Sequence, residues 1–98
     1  MEADKLFKEL GFNKIEFNNE LVVIYESKFN IEDKQHLEIV FNKSDLSWHI
    51  DNYIIIYDDK GYFKKEYKPY VINSKLYYAI NEKINEIKKG RKQNENIL

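Results

Sequence analysis

Residues 47–57, reading SWHIDNYIIIY, hold the single tryptophan and the densest run of β-branched and aromatic side chains. Such residues fit a pleated, half-buried surface, so this stretch predicts a central strand. The rest of the chain is placed by asking what pairs with it and what covers it. Residues 36–42 alternate in the same way. A two-residue turn at Ser44-Asp45 pairs Phe41 with Trp48, Ile39 with Ile50 and Glu38 with Asp51. That register gathers Leu37, Ile39, Phe41, Leu46, Trp48 and Ile50 on one face. His36, Glu38, Val40, Asn42, Ser47, His49 and Asp51 fall on the other, and a slip of one residue destroys the separation. Beyond Asn52 the pattern changes. Tyr53, Ile55 and Tyr57 continue the polar face while Ile54 and Ile56 continue the apolar one. Either a bulge at Asp51-Asn52 resets the faces, or both faces are covered here.

The flanks supply further elements. Residues 2–10 predict a short helix with Ala3, Leu6, Phe7 and Leu10 on one face and Asp4, Lys5 and Lys8 away from it. Gly11 follows where a left-handed cap is needed, and Phe12 where such a cap places its hydrophobic contact. Residues 14–18 and 21–28 predict a hairpin turning at Asn18, Asn19 and Glu20. Its faces are Ile15, Phe17, Val22 and Ile24 against Leu21, Val23 and Tyr25, so the second strand is expected to be covered on both sides. Asp58-Asp59-Lys60-Gly61 is a turn with glycine at the positive-φ position. Residues 62–67 return as a last strand, whose Lys64 and Lys65, with Pro69 beyond, read as edge protection. Asn73 or Ser74 caps a second helix with the stripe Leu76, Ala79, Ile80, Ile84 and Ile87. Gly90 is expected to end it, leaving 91–98 as a polar, frayed tail. The fold class is α+β: an antiparallel meander of five strands flanked by an N-terminal and a C-terminal helix, in one domain over residues 1–90.

Composition bounds the function classes. Ninety-eight residues make one core. The absence of cysteine removes disulfides and thiolate metal sites. No apolar run reaches the length of a membrane span, and the charged N-terminus is not a signal peptide, so a cytoplasmic protein is expected. Lysine, isoleucine and asparagine are abundant, which points to an A/T-rich genome of a low-GC bacterium or one of its mobile elements. The net charge of −1 hides an asymmetry. Residues 1–58 carry six lysines against twelve acids, and residues 59–98 carry ten bases against five acids. Halves of opposite sign suit an acidic partner or each other, but are more often interspersed on the folded surface.

Residues 3–12, ADKLFKELGF, resemble the opening of small uncharacterised proteins encoded by phages and mobile elements of low-GC Gram-positive bacteria. The spacing of Pro69, Ile72, Leu76, Ala79, Ile80, Ile84 and Ile87 is similar to their C-terminal part. The likeness covers the two ends only, and residues 51–67 are longer here. The matching residues are helix-face and cap residues, so the resemblance implies a fold and brings no activity, cofactor or partner.

Few constellations could carry chemistry. The three glycines are scattered at turns and caps, so there is no phosphate-cradling loop. Ser47, His49 and Asp51 share a strand face, but i, i+2 neighbours on a flat strand do not aim at one point. The chain is therefore expected to be non-enzymatic, with no cofactor and no small-molecule site. His36, Glu38, His49 and Asp51 are weak metal candidates: two imidazoles and two carboxylates suit a divalent ion, yet a solvated polar face explains them as well. Tyr62, Lys64, Lys65, Tyr67 and Lys68 interleave rings with cations as single-stranded nucleic-acid surfaces do, but the absence of arginine from the segment and the slightly acidic chain favour an edge strand with lysine gatekeepers. Tyr53, Ile55 and Tyr57 make a tyrosine-rich patch that marks an interface unless a helix covers it. The expectation is a protein-interaction or accessory module using this sheet surface, with a protein partner or a second copy as a homodimer. The alternative is a nucleic-acid-binding accessory protein using the basic, aromatic C-terminal half.

Overall fold

Period-two alternation in the middle of the chain sets the architecture. The computed structural model describes residues 2–15, 20–30 and 35–97, with side chains as far as residue 90. In chain order the elements are α1 (Glu2–Glu9), β1 (Phe12–Lys14), β2 (Val22–Ser27), β3 (Gln35–Asn42), β4 (Trp48–Tyr57), β5 (Phe63–Tyr67) and α2 (Ser74–Ile97). Each strand pairs antiparallel with its sequence neighbour, giving one sheet ordered β1-β2-β3-β4-β5. This is the α+β meander expected from the sequence. The expected turn at Asn18 and Asn19, and the place of Phe17, lie outside the described residues.

The β3–β4 register is the one the alternation demands: Phe41 opposes Trp48, Ile39 opposes Ile50 and Glu38 opposes Asp51. The turn differs. Asn42 N–H donates to Ser47 O and Leu46 N–H donates to Asn42 O, both at 2.9 Å, so four residues rather than two close the hairpin. Such a loop needs one residue at positive φ, and Leu46 takes it at 63°. A side chain there costs about 1–2 kcal/mol relative to glycine. Leu46, expected on the apolar face, therefore sits in the loop and does not join the core.

Both helices lie on the same side of the sheet. The buried cluster joins Phe7 of α1 and Leu76, Ala79 and Ile80 of α2 to Phe12, Val23, Tyr25, Ile39 and Phe41. These sheet residues all belong to one parity of the pleat. Val22 and Ile24, of the other parity, are only half-buried, so β2 is covered on one side and not on both. Phe7 is the hub: its ring stacks on Tyr25 at 4.0 Å and meets Phe41 and Phe12 edge-on at 6.0 and 6.3 Å. Gly11 ends α1 at φ 93° as its position implied, and Phe12 is buried beyond it.

Asn73 caps α2, its Oδ1 accepting Leu76 N–H at 2.8 Å. Gly90 does not stop the helix. Positive φ among the glycines is confined to Gly11 and Gly61, and helical backbone runs through Gly90 to Ile97, where a polar tail was expected. Lysine, arginine and glutamine after Gly90 are good helix formers, and one interior glycine costs only about 1 kcal/mol against alanine. A Cβ at Gly90 meets nothing within 4 Å. Gly90→Ala is therefore expected to raise stability by about 0.5–1 kcal/mol in urea denaturation. A left-handed cap at this position would give the opposite sign.

Candidate interaction surface

Helices on one side leave the other face of the sheet uncovered. Tyr53, Ile55 and Tyr57 lie on that open face, continuing the side that carries His36, Glu38, His49 and Asp51. No bulge resets β4, since its pairing runs unbroken from Trp48 to Ile54 against β3 and from Tyr53 to Tyr57 against β5. Nor are both faces covered. Ile54 and Ile56 point to the helix side but do not join the core, because the β4–β5 hairpin runs on past the helical layer. The change of sequence pattern after Asn52 marks the place where the sheet loses its cover.

The open face carries a row of rings. His36 stacks on Tyr53 at 5.0 Å and 12°, and Tyr53 meets Tyr67 at 5.4 Å. Lys65 Nζ lies 4.6 Å from the Tyr53 ring centroid, and Tyr57 meets Phe63 at 6.2 Å. Tyr57, Phe63 and Tyr67 are 53%, 61% and 62% exposed. The tyrosines combine apolar area with a polar tip and Phe63 adds apolar area alone, the composition of an interface core. Strand alternation splits the basic group read from the sequence. Lys65 and Tyr67 face the ring row, whereas Lys64 and Lys68 turn to the helix side and Tyr62 stands in the turn. Lys68 donates to Glu66 at 2.8 Å, which holds the Glu66 carboxyl below the usual carboxylate range.

The four weak metal candidates do share one face. Glu38 opposes Asp51, but His36 is engaged with Tyr53, and His49 Nε2 lies 3.3 Å from Asp51 Oδ2 at the surface. Among the described residues no three metal-ligating side chains come together. A flat ladder spreads them over successive steps instead of focusing them on a point.

A second polar cluster was missed in the sequence. Lys83 is 4% exposed. Its Nζ lies 3.6 Å from Asp4 Oδ1, 3.5 Å from the buried Glu86 Oε2 and 5.8 Å from the Tyr25 ring centroid. The Tyr25 hydroxyl donates to Asp4, and Glu86 Oε1 accepts Ala3 N–H at 3.1 Å at the start of α1. Asp4, expected to point away from the core, is instead the hinge of this cluster. The signal was Lys83 itself, which stands in the apolar stripe between Ile80 and Ile84. Burial pushes the Tyr25 hydroxyl far above its ordinary range, with the Asp4 bond adding to it. Burial also works against the charged Asp4 carboxyl, but the Tyr25 hydrogen bond and the Lys83 and Lys14 charges outweigh it and hold the carboxyl below its ordinary range. The cluster docks α1 onto α2 and β2.

No family model, curated protein or solved structure matches the chain. Among the described residues no helix is long and apolar enough to cross a membrane.

Lys83→Met removes the cation between Asp4 and the buried Glu86 oxygen, leaving Asp4 only its 3.9 Å pair with Lys14, and is expected to cost about 3 kcal/mol at neutral pH in urea unfolding. Asp4 has a lowered native pKa, so its stabilisation is present above the unfolded-state value near 3.8 and is lost as pH falls through the native value. The stability difference between wild type and Asp4→Asn should accordingly be largest at neutral pH and shrink below about pH 4, as read by denaturation at a series of pH values.

Proposed function

We propose that this protein is a non-enzymatic interaction module that holds a protein partner on the open, tyrosine-rich face of its sheet. The observation that carries the reading is one-sided packing: both helices serve the same face, and Tyr53, Ile55, Tyr57, Phe63 and Tyr67 stand on the other beyond the helical cover. Contiguous apolar area with polar tips on a rigid strand platform is what a protein interface requires.

The test is capture from lysate of the source cells, with variants on each side of the molecule. Wild type and Tyr77→Asp, on the exposed side of α2, should capture the same protein. Tyr57→Asp should lose it at least tenfold while keeping the wild-type circular dichroism. Capture that ignores Tyr57→Asp, or that fails equally with Tyr77→Asp, would remove the open face as the binding surface.

The nucleic-acid reading keeps one supporting observation, the Lys65 ammonium over the Tyr53 ring beside Tyr67. Cation and rings together form a small stacking platform. It expects single-stranded oligonucleotide binding that weakens steeply with salt and is lost in Lys65→Glu. Binding that ignores salt or this substitution would end it.

A further inference from the structure

We propose that the outer edge of β5 pairs with the same edge of a second copy, two-fold about Lys65, to form one ten-stranded sheet. This goes beyond the open-face reading, because it uses the strand edge and leaves the face free.

The argument begins with hydrogen-bond parity. Asp58 N–H donates to Tyr62 O and Lys68 N–H donates to Asn52 O, both at 2.8 Å. These two pairs fix the alternation along the β4–β5 ladder, so Lys64 and Glu66 bond inward to Ile56 and Ile54. Phe63, Lys65 and Tyr67 therefore turn their N–H and C=O groups outward. Among the described residues none of these groups finds a partner in the turns, loops or caps. An edge strand with a free row of such groups is a template for another strand.

Symmetry then selects the register. Antiparallel edge pairing of two copies about an axis normal to the sheet must centre on a residue, since opposed side chains share a face. Centring on an inward-turned residue, Lys64 or Glu66, places only two of the three outward residues of each copy opposite another outward residue, and leaves Tyr67 facing Gly61 or Phe63 facing Pro69. Centring on Tyr67 would set Lys65 against Pro69, which has no N–H to give. Centring on Phe63 would run the pairing into the Gly61 turn, where φ is 85°. Centring on Lys65 uses all three outward residues.

That register is also complementary in its side chains. On the helix side Lys64 of each copy opposes Glu66 of the other, so both charge pairs are of opposite sign. On the open side Phe63 of each copy opposes Tyr67 of the other, a favourable aromatic cross-strand pair. The ring row His36–Tyr53–Tyr67 of one copy is thereby joined to Phe63–Tyr57 of the next. The one like-charged pair is Lys65 against Lys65, and each of these ammoniums is already drawn back over its own Tyr53 ring. The lysines read from the sequence as edge protection thus act as a register code: they oppose a foreign basic or register-slipped strand and accept this one.

Light scattering across a concentration series tests the proposal. Wild type should reach twice the 11.9 kDa chain mass. Lys65→Pro removes an N–H that the monomer does not use, so it should be a folded monomer. Lys64→Glu alone sets acid against acid and should weaken the dimer at least tenfold, and the double variant Lys64→Glu/Glu66→Lys should restore it. A wild-type monomer at every concentration overturns the proposal, and so does a dimer that survives Lys65→Pro or a double variant that fails to recover. Tyr57→Asp should leave the mass unchanged, so loss of the dimer and loss of the open-face partner are read separately.

Discussion

The stack of Phe7 on Tyr25 is the contact on which the rest of the molecule depends. It brings the short α1 onto the sheet, and the Tyr25 hydroxyl at the far end of the same ring reaches Asp4 one turn earlier in that helix. An eight-residue helix is too short to hold itself in water, so its existence rests on tertiary contacts. Lys83 completes the arrangement from α2 by neutralising Asp4 and Glu86, while Glu86 accepts an otherwise orphaned amide at the start of α1. One tyrosine thus ties β2 to α1 through its ring and to the charge cluster through its oxygen.

That anchoring has a consequence at the other end of the sheet. With both helices held over β1, β2, β3 and the first part of β4, no helical cover remains for the β4–β5 hairpin. Its rings are exposed because the helices are committed elsewhere, not because the strand is polar. The same commitment leaves β5 as a bare edge. Features that could look like independent binding devices, the ring row and the edge, both follow from where α1 and α2 are anchored.

Much of this was legible in the residues. The β3–β4 register could be read from alternation, because a slip of one would expose Ile39, Phe41, Trp48 and Ile50 together. Gly11 and Gly61 announced their turns through the positive φ that other residues resist. The candidate patch Tyr53, Ile55 and Tyr57 was visible as a change of pattern, but its meaning was not, since a change of pattern suits a bulge, double cover or loss of cover equally. Leu46 misled because it continued the apolar face on paper while the loop needed a left-handed residue. Gly90 misled because a glycine after a helical stripe reads as a stop, although nothing in its surroundings requires one. Lys83 was hidden in plain view, since a lysine in an apolar stripe is ordinarily a snorkelling side chain, and only Asp4 and Glu86 together make its burial affordable.

The sequence by itself determined the order of elements, the antiparallel pairing of neighbours, the central register and the faces of β3 and β4, though it set the first strand at residues 14–18 where β1 runs Phe12–Lys14. These depend on local periodicity and turn chemistry, which short windows of the chain contain. Only the tertiary structure decided that both helices take the same face, that Asp4, Tyr25, Lys83 and Glu86 meet, and which strand edge and which rings are left over. Those outcomes depend on contacts between residues far apart in the chain, and no local pattern encodes which of two equally apolar faces a distant helix will cover.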